Sequence, residues 1–288
     1  MVSPAVAAQD GLVPGHGTRV EIACDESGSE GGKLVGGTTD VLAHASVAVD
    51  HEVATAWLDE VRLRARSPAS EVKASVVLRL QNRAVLRDLL GPAGPFWADG
   101  TPAAHVHLVE KRYLLVVRFL ALLGLDGPDD PAPEDVHRVL DGDWDGVLTA
   151  FNDLLRARER ASLLDPMGPA LAAVVGHWSR DCSVVVDVVH DEHRTLREAG
   201  AVRLRALCDP VGLLGEVRFV DSRDDARVNL ADFLAGTARR VASEVLANRV
   251  DDGVAELVEL VRPFVGAAST WGDRVSWAVL APRAVVSP

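Results

Sequence analysis

The chain has 288 residues and a formal charge of −12, from 30 basic and 42 acidic side chains with histidine neutral. Hydrophobic residues make up 48% and charged ones 25%, which supplies a large core and excludes disorder and coiled coil. The acidic balance excludes a broadly basic surface that coats nucleic acid, but not a local site where carboxylates hold metal ions against a phosphate.

Cys24, Cys182 and Cys208 lie far apart with no C-x-x-C spacing. That pattern predicts a reduced, cytoplasmic protein without a structural zinc site. Residues 1–17 are rich in Pro, Gly and Ala, lack a basic n-region, and are expected to be a flexible N-terminus rather than a secretory signal. The most apolar run, Tyr113 to Leu125, is broken by Arg118 and is shorter than the ~20 residues of a membrane span, so no membrane partner is expected. Only three lysines occur, Lys33, Lys73 and Lys111, and every other basic side chain is arginine.

In chain order, Thr18 to Asp25 alternates as a strand, with Val20, Ile22 and Cys24 on one face and Ala23 and Asp25 on the other. A glycine-rich turn, Gly28 to Gly37, leads to a second strand over Thr39 to Val49, predicting an antiparallel hairpin. Helical spacing follows over His51 to Arg66 and over Ser70 to Leu90, the latter stopped by Gly91-Pro92. Ala104 to Val109 alternates as a third strand, and Tyr113 to Leu123 reads as a buried helix. Gly127 to Pro133 is a linker, and a helical insertion is expected at about 126–180. Ser183 to His190 is the strongest strand, followed by a short helix around His193 to Ala206. A further strand is read over Glu216 to Val220 and a long helix over Val228 to Asn248. Residues 251–265 form a last helix, so 18–250 is expected as the main domain and 251–288 as a C-terminal helix and tail.

Four acids fall at element boundaries: Asp25 and Asp191 at strand ends, Glu71 in a first helical turn, and Asp232 one turn into the long helix. Hard divalent cations take several carboxylate oxygens, and two such ions can activate a water and stabilise a leaving oxygen. Each acid taken singly has a more ordinary role at the surface or as a cap; helix-dipole placement is a sufficient reason for Glu71.

The segments Val20-Glu-Ile-Ala-Cys-Asp-Glu-Ser-Gly28, Glu71-Val-Lys73, Val188-Val-His-Asp-Glu192, Val217 to Arg223 and Asn229-Leu-Ala-Asp-Phe-Leu-Ala-Gly236, together with the strand His105 to Lys111, carry a resemblance. In that order they resemble the bacterial "domain of unknown function 3800" family, assigned to the ribonuclease H-like superfamily. The resemblance spans residues 19 to 240, with 125 to 180 as variable filler. It implies an α/β fold: a mixed sheet, antiparallel through its first three strands and then parallel, flanked by helices. It also implies a metal cluster from Asp25, Asp191 and Asp232, with Glu71 the weakest member and Asp187 the rival of Asp191. Lys73 would balance developing phosphate charge. Ser27 and Ser222 could support the ligands, although turn and cap chemistry explains them as well.

Other motifs point elsewhere. Gly28-Ser-Glu-Gly-Gly-Lys33 lacks phosphate-loop spacing and a following Ser or Thr. His105 with His107, and His190 with His193, have metal-ligand spacing but no cysteine support; His190 or His193 could also shuttle a proton near Asp191. Arg156 to Arg160 and Arg239-Arg240 are basic spots able to touch phosphates, with a solvated helix face as their ordinary role. The expectation is a Mg²⁺- or Mn²⁺-dependent nuclease or phosphodiesterase on DNA or RNA, with Asp25, Glu71, Asp191, Asp232 and Lys73 as its site. The alternatives are a non-catalytic module binding nucleic acid or a protein partner, and a hydrolase of a small nucleotide.

Overall fold

Alternation of small and β-branched side chains builds a sheet that is apolar on both faces. The computed structural model describes residues 18–66, 72–128, 130–139, 144–157, 163–179, 184–194, 196–197, 204–206 and 213–283. The strands are β1 (Thr18–Ser27), β2 (Val41–Val47), a short hairpin of β3 (Trp97–Ala98) and β4 (Thr101–Pro102), then β5 (Ala104–Glu110), β6 (Val184–Asp191) and β7 (Leu214–Val220). The main sheet has the order β5-β2-β1-β6-β7. β1 with β2 and β2 with β5 run antiparallel; β1 with β6 and β6 with β7 run parallel. This is the expected mixed sheet, with β1 at its centre.

The helices are α1 (His51–Ala65), α2 (Ala74–Val77), α3 (Arg83–Leu90), α4 (Lys111–Leu122), α5 (Pro133–Val139), α6 (Asp145–Ala157), α7 (Met167–Trp178), α8 (Ala226–Leu246), α9 (Asp252–Val261) and α10 (Arg274–Leu280). Asp50 starts α1 by accepting the Glu52 and Val53 N–H groups, and Arg66 ends it with φ 49° in the left-handed region. The single helix expected over Ser70 to Leu90 is instead broken. Arg79 is extended (ψ 144°), a 3₁₀ turn spans Leu80–Asn82, and the Asn82 side-chain amide donates to Val76 O at 2.7 Å. That side-chain bond satisfies a carbonyl the helix would have used, so the chain can turn there.

Two cores lie against the sheet. On one face Ala23, Ala43, Ala45 and Val189 meet Leu230, Phe233, Leu234 and Val241 of α8. Alanine at three sheet positions lets the helix axis come close. On the other face Ile22, Cys24, Leu42, Val186 and Val188 meet Leu115 of α4 and Met167, Leu171 and Val174 of α7. Each fully buried leucine of this kind contributes about 2 kcal/mol. The expected insertion is helical and its last helix supplies this second layer.

The C-terminal part is not a separate tail. Val258, Phe264, Trp271 and Leu280 join the α8-side core. Gly266 N donates to Val106 O, Thr270 N to Leu108 O, and Glu110 N to Thr270 O, so this segment runs along the outer edge of β5. At the opposite edge β7 presents Glu216 and Arg218 to solvent. The helix expected around His193 to Ala206 falls partly outside the described residues, as do residues 1–17, Cys182 and Cys208; Cys24 is a buried free thiol. Among the described residues no helix is long and apolar enough to cross a membrane.

Candidate active site

Strand alternation sorts the acids between the faces. Asp25 projects with Ala23 toward α8, and Glu26 projects with Cys24 toward α7. The parallel register sets Cys24 opposite His190, so Asp25 and Asp191 leave the sheet side by side. Helix α8 runs along β1 in the same direction. Glu21 Oε1 accepts from Arg227 Nη1 at 2.7 Å, Asp25 feels the charge of Asp232, and Ser27 accepts from Arg239. Asp232 is half-buried and its Oδ2 accepts from the Ala74 N–H at 2.7 Å.

Asp25 is 5% exposed, and its Oδ1 accepts from the Glu26 N–H at 2.7 Å. Burial, and then the negative charges of Glu26, Asp232 and Asp191, push its carboxyl well above the usual range. Glu26 is pushed up to about 7 by burial first, with Asp191, Asp165 and Asp232 adding to it. The largest charge effects on both groups come from neighbouring acids. Such a set of crowded oxygen donors suits a hard divalent cation. Among the described residues, however, no three His, Cys, Asp or Glu side chains stand close enough together to hold an ion.

Asp187 and Asp191 are separated clearly. Asp187 accepts from Arg19 Nε at 2.9 Å and from the Glu216 N–H at 2.7 Å, and these bonds hold its carboxyl below the usual range against the cost of burial. Asp191 is the one whose charge reaches Asp25 and Glu26. Glu71 lies outside the described residues. Lys73 is exposed just before α2, and its charge acts on Asp221; its backbone neighbour Ala74 holds Asp232. Ser27 anchors Arg239, while Ser222 offers its carbonyl to Asn229.

Three residues outside the expected set belong to this end of the sheet. His193 Nε2 stands 3.6 Å from Glu26 Oε1 and 3.4 Å from Ser29 Oγ, and Asp165 adds its charge to both Glu26 and His193. Behind them His44 Nε2 and His190 Nε2 are 3.0 Å apart. His190 Nδ1 lies 2.8 Å from Asp191 O and donates to it, so His190 Nε2 accepts and His44 Nε2–H donates. Burial lowers both histidines, His190 to about 4, so the pair is neutral at pH 7. The Asp25-Glu26 dipeptide at a strand end was the available signal for Glu26. Asp165 is brought in from 140 positions away, as the numbering shows, and no local pattern marks it.

A five-stranded sheet, antiparallel through β5, β2 and β1 and parallel through β1, β6 and β7, with helices on both faces, is a ribonuclease H-like arrangement. Comparison with protein-family models, with curated proteins and with solved structures returns no match.

Proposed function

We propose that this chain is a divalent-metal-dependent phosphodiester hydrolase of the family it resembles, acting on DNA or RNA. The observation that carries this reading is that the charges of Asp191 and Asp232 both act on the buried Asp25 at one end of the central strands. Asp25, Asp191 and Asp232 would hold one or two Mg²⁺ or Mn²⁺ ions. An ion bound between these carboxylates would offset the charge repulsion among them. A bound ion supplies Lewis-acid polarisation of the phosphate and lowers the pKa of a water. The Ala74 N–H holds one oxygen of Asp232 in place. Glu26, near 7, can exchange a proton at neutral pH, and His193 is its nearest imidazole.

The test is incubation of the purified chain with labelled single-stranded, double-stranded and hybrid DNA and RNA, with Mn²⁺, Mg²⁺ or EDTA. Cleavage is expected with either metal and none with EDTA. Intact substrate throughout at high purity would remove this reading and favour a binding module.

A further inference from the structure

Among the described residues, one cation on α8 has no acid beside it. Arg239 Nε donates to Ser27 Oγ at 2.9 Å, and the neighbouring charges coupled to it, Arg240 and Lys111, are both positive. Arg240 itself pairs with Glu244 at 3.0 Å. Nearby, Lys111 is buried but neutralised by Glu30, whose Oε2 lies 2.7 Å from its Nζ. Among the described residues, the Arg239 guanidinium is therefore an uncompensated charge of this corner.

Its position is built. The stem of Arg239 lies over the hairpin at Gly28, which has φ +89°. A Cβ there would fall 2.7 Å from Arg239 Cδ and 2.4 Å from Val41 O, so only glycine leaves room. The stem on Gly28 and the bond to Ser27 fix the fork and leave both Nη groups for a ligand. Ser27 stands two residues beyond Asp25 on the same face of β1, about 6.6 Å along the strand. Arg239 follows Asp232 by two helical turns on the same face of α8.

We propose that Arg239 is a phosphate subsite next to the carboxylates. It takes a nucleic-acid phosphate one step along the strand from the one held by Asp25, Asp191 and Asp232. Its location relative to the scissile bond rests on the hydrolase reading; its binding of phosphate does not. A planar fork reads phosphate bidentately, and the anion would relieve the repulsion between Arg239 and Lys111.

The experiment measures binding of fluorescein-labelled single-stranded DNA and RNA to the full chain across a salt series, with Ca²⁺ present. Arg239→Ala is expected to weaken binding about tenfold, the loss of one charge-assisted contact. It should also make the slope of log affinity against log salt shallower by ~0.7, the counterion share of one single-strand phosphate. Arg239→Lys should keep the slope while losing affinity. If Arg239→Ala fails to fold, Arg239→Gln, which keeps a stem over Gly28, is read by the same two criteria. Wild-type affinity and slope in these variants would overturn the subsite, and so would a wild-type chain that binds neither strand. Arg239-dependent binding without Mn²⁺-dependent cleavage would retire hydrolysis and leave the subsite standing.

Discussion

Asp187 and Asp191 stand four residues apart on one face of one strand, yet their surroundings make them different groups. Arg19 and the Glu216 N–H stabilise the Asp187 anion, whereas Asp191 faces other acids. Asp191→Asn is therefore expected to abolish metal-dependent cleavage, by at least about a hundredfold as for loss of a key electrostatic group. Asp187→Asn should leave turnover near wild type, because its partners lie at the start of β1 and on β7, away from Asp25. Equal losses in a cleavage assay would show that the distinction drawn from geometry is wrong. Alternation alone put both side chains on the α8 face and could not choose between them. The choice depends on Arg19, which meets Asp187 across 168 positions of sequence, and periodicity carries no such information.

Among the elements, α8 does most to position the site. The helix is legible in the sequence from the spacing of Leu230, Phe233, Leu234, Thr237 and Val241 on one face. The contact of Gly236 was not legible: a Cβ there would lie 2.3 Å from Ala74 Cβ. Gly236→Ala should push α2 away and loosen the Ala74 N–H bond to Asp232. The expected cost is about 1–3 kcal/mol of stability, an overpacking effect, with a fall in cleavage beyond what unfolding explains. Denaturant titration beside single-turnover rates checks both parts; unchanged values would mean α2 is not a support for Asp232. The strands were readable because β-branched alternation is a local signal. The break after α2 was not, since Asn82 caps Val76 through a side chain that a helical pattern tolerates.

For the whole molecule, the buried histidines and the buried acids pull stability in opposite directions with pH. Burial lowers His44, His105, His107 and His190, the last two to about 4, against an ordinary value of 6.5. Unfolded, they take up protons first, so their contribution is complete above 6.5 and is lost as pH falls toward 4. Asp25 and Glu26 are raised, so their contribution is complete below the ordinary carboxylate range and is lost as pH rises, for Glu26 through about 7. For Glu26 the difference is on the order of 3 kcal/mol. The melting temperature of the metal-free chain should thus fall on both sides of a maximum between these limbs. Asp25→Asn should relieve the alkaline limb, raising the melting temperature at pH 8 by about 2–4 °C per kcal/mol recovered, and leave the acid limb alone. Mn²⁺ should stabilise the wild type at pH 8 and do far less for Asp25→Asn. An alkaline limb that is the same in both proteins would remove the electrostatic account of the site.

The course of residues 265–270 beside β5 has a bearing on how these molecules behave together. A bare outer strand is a template onto which another chain can add itself, and stacked copies become insoluble. Here one border of the sheet is occupied by the molecule's own backbone, and the other carries Glu216 and Arg218, charges that resist a flat neighbour. Each border so described carries a device against ribbon-like growth, paired backbone at one and charge at the other.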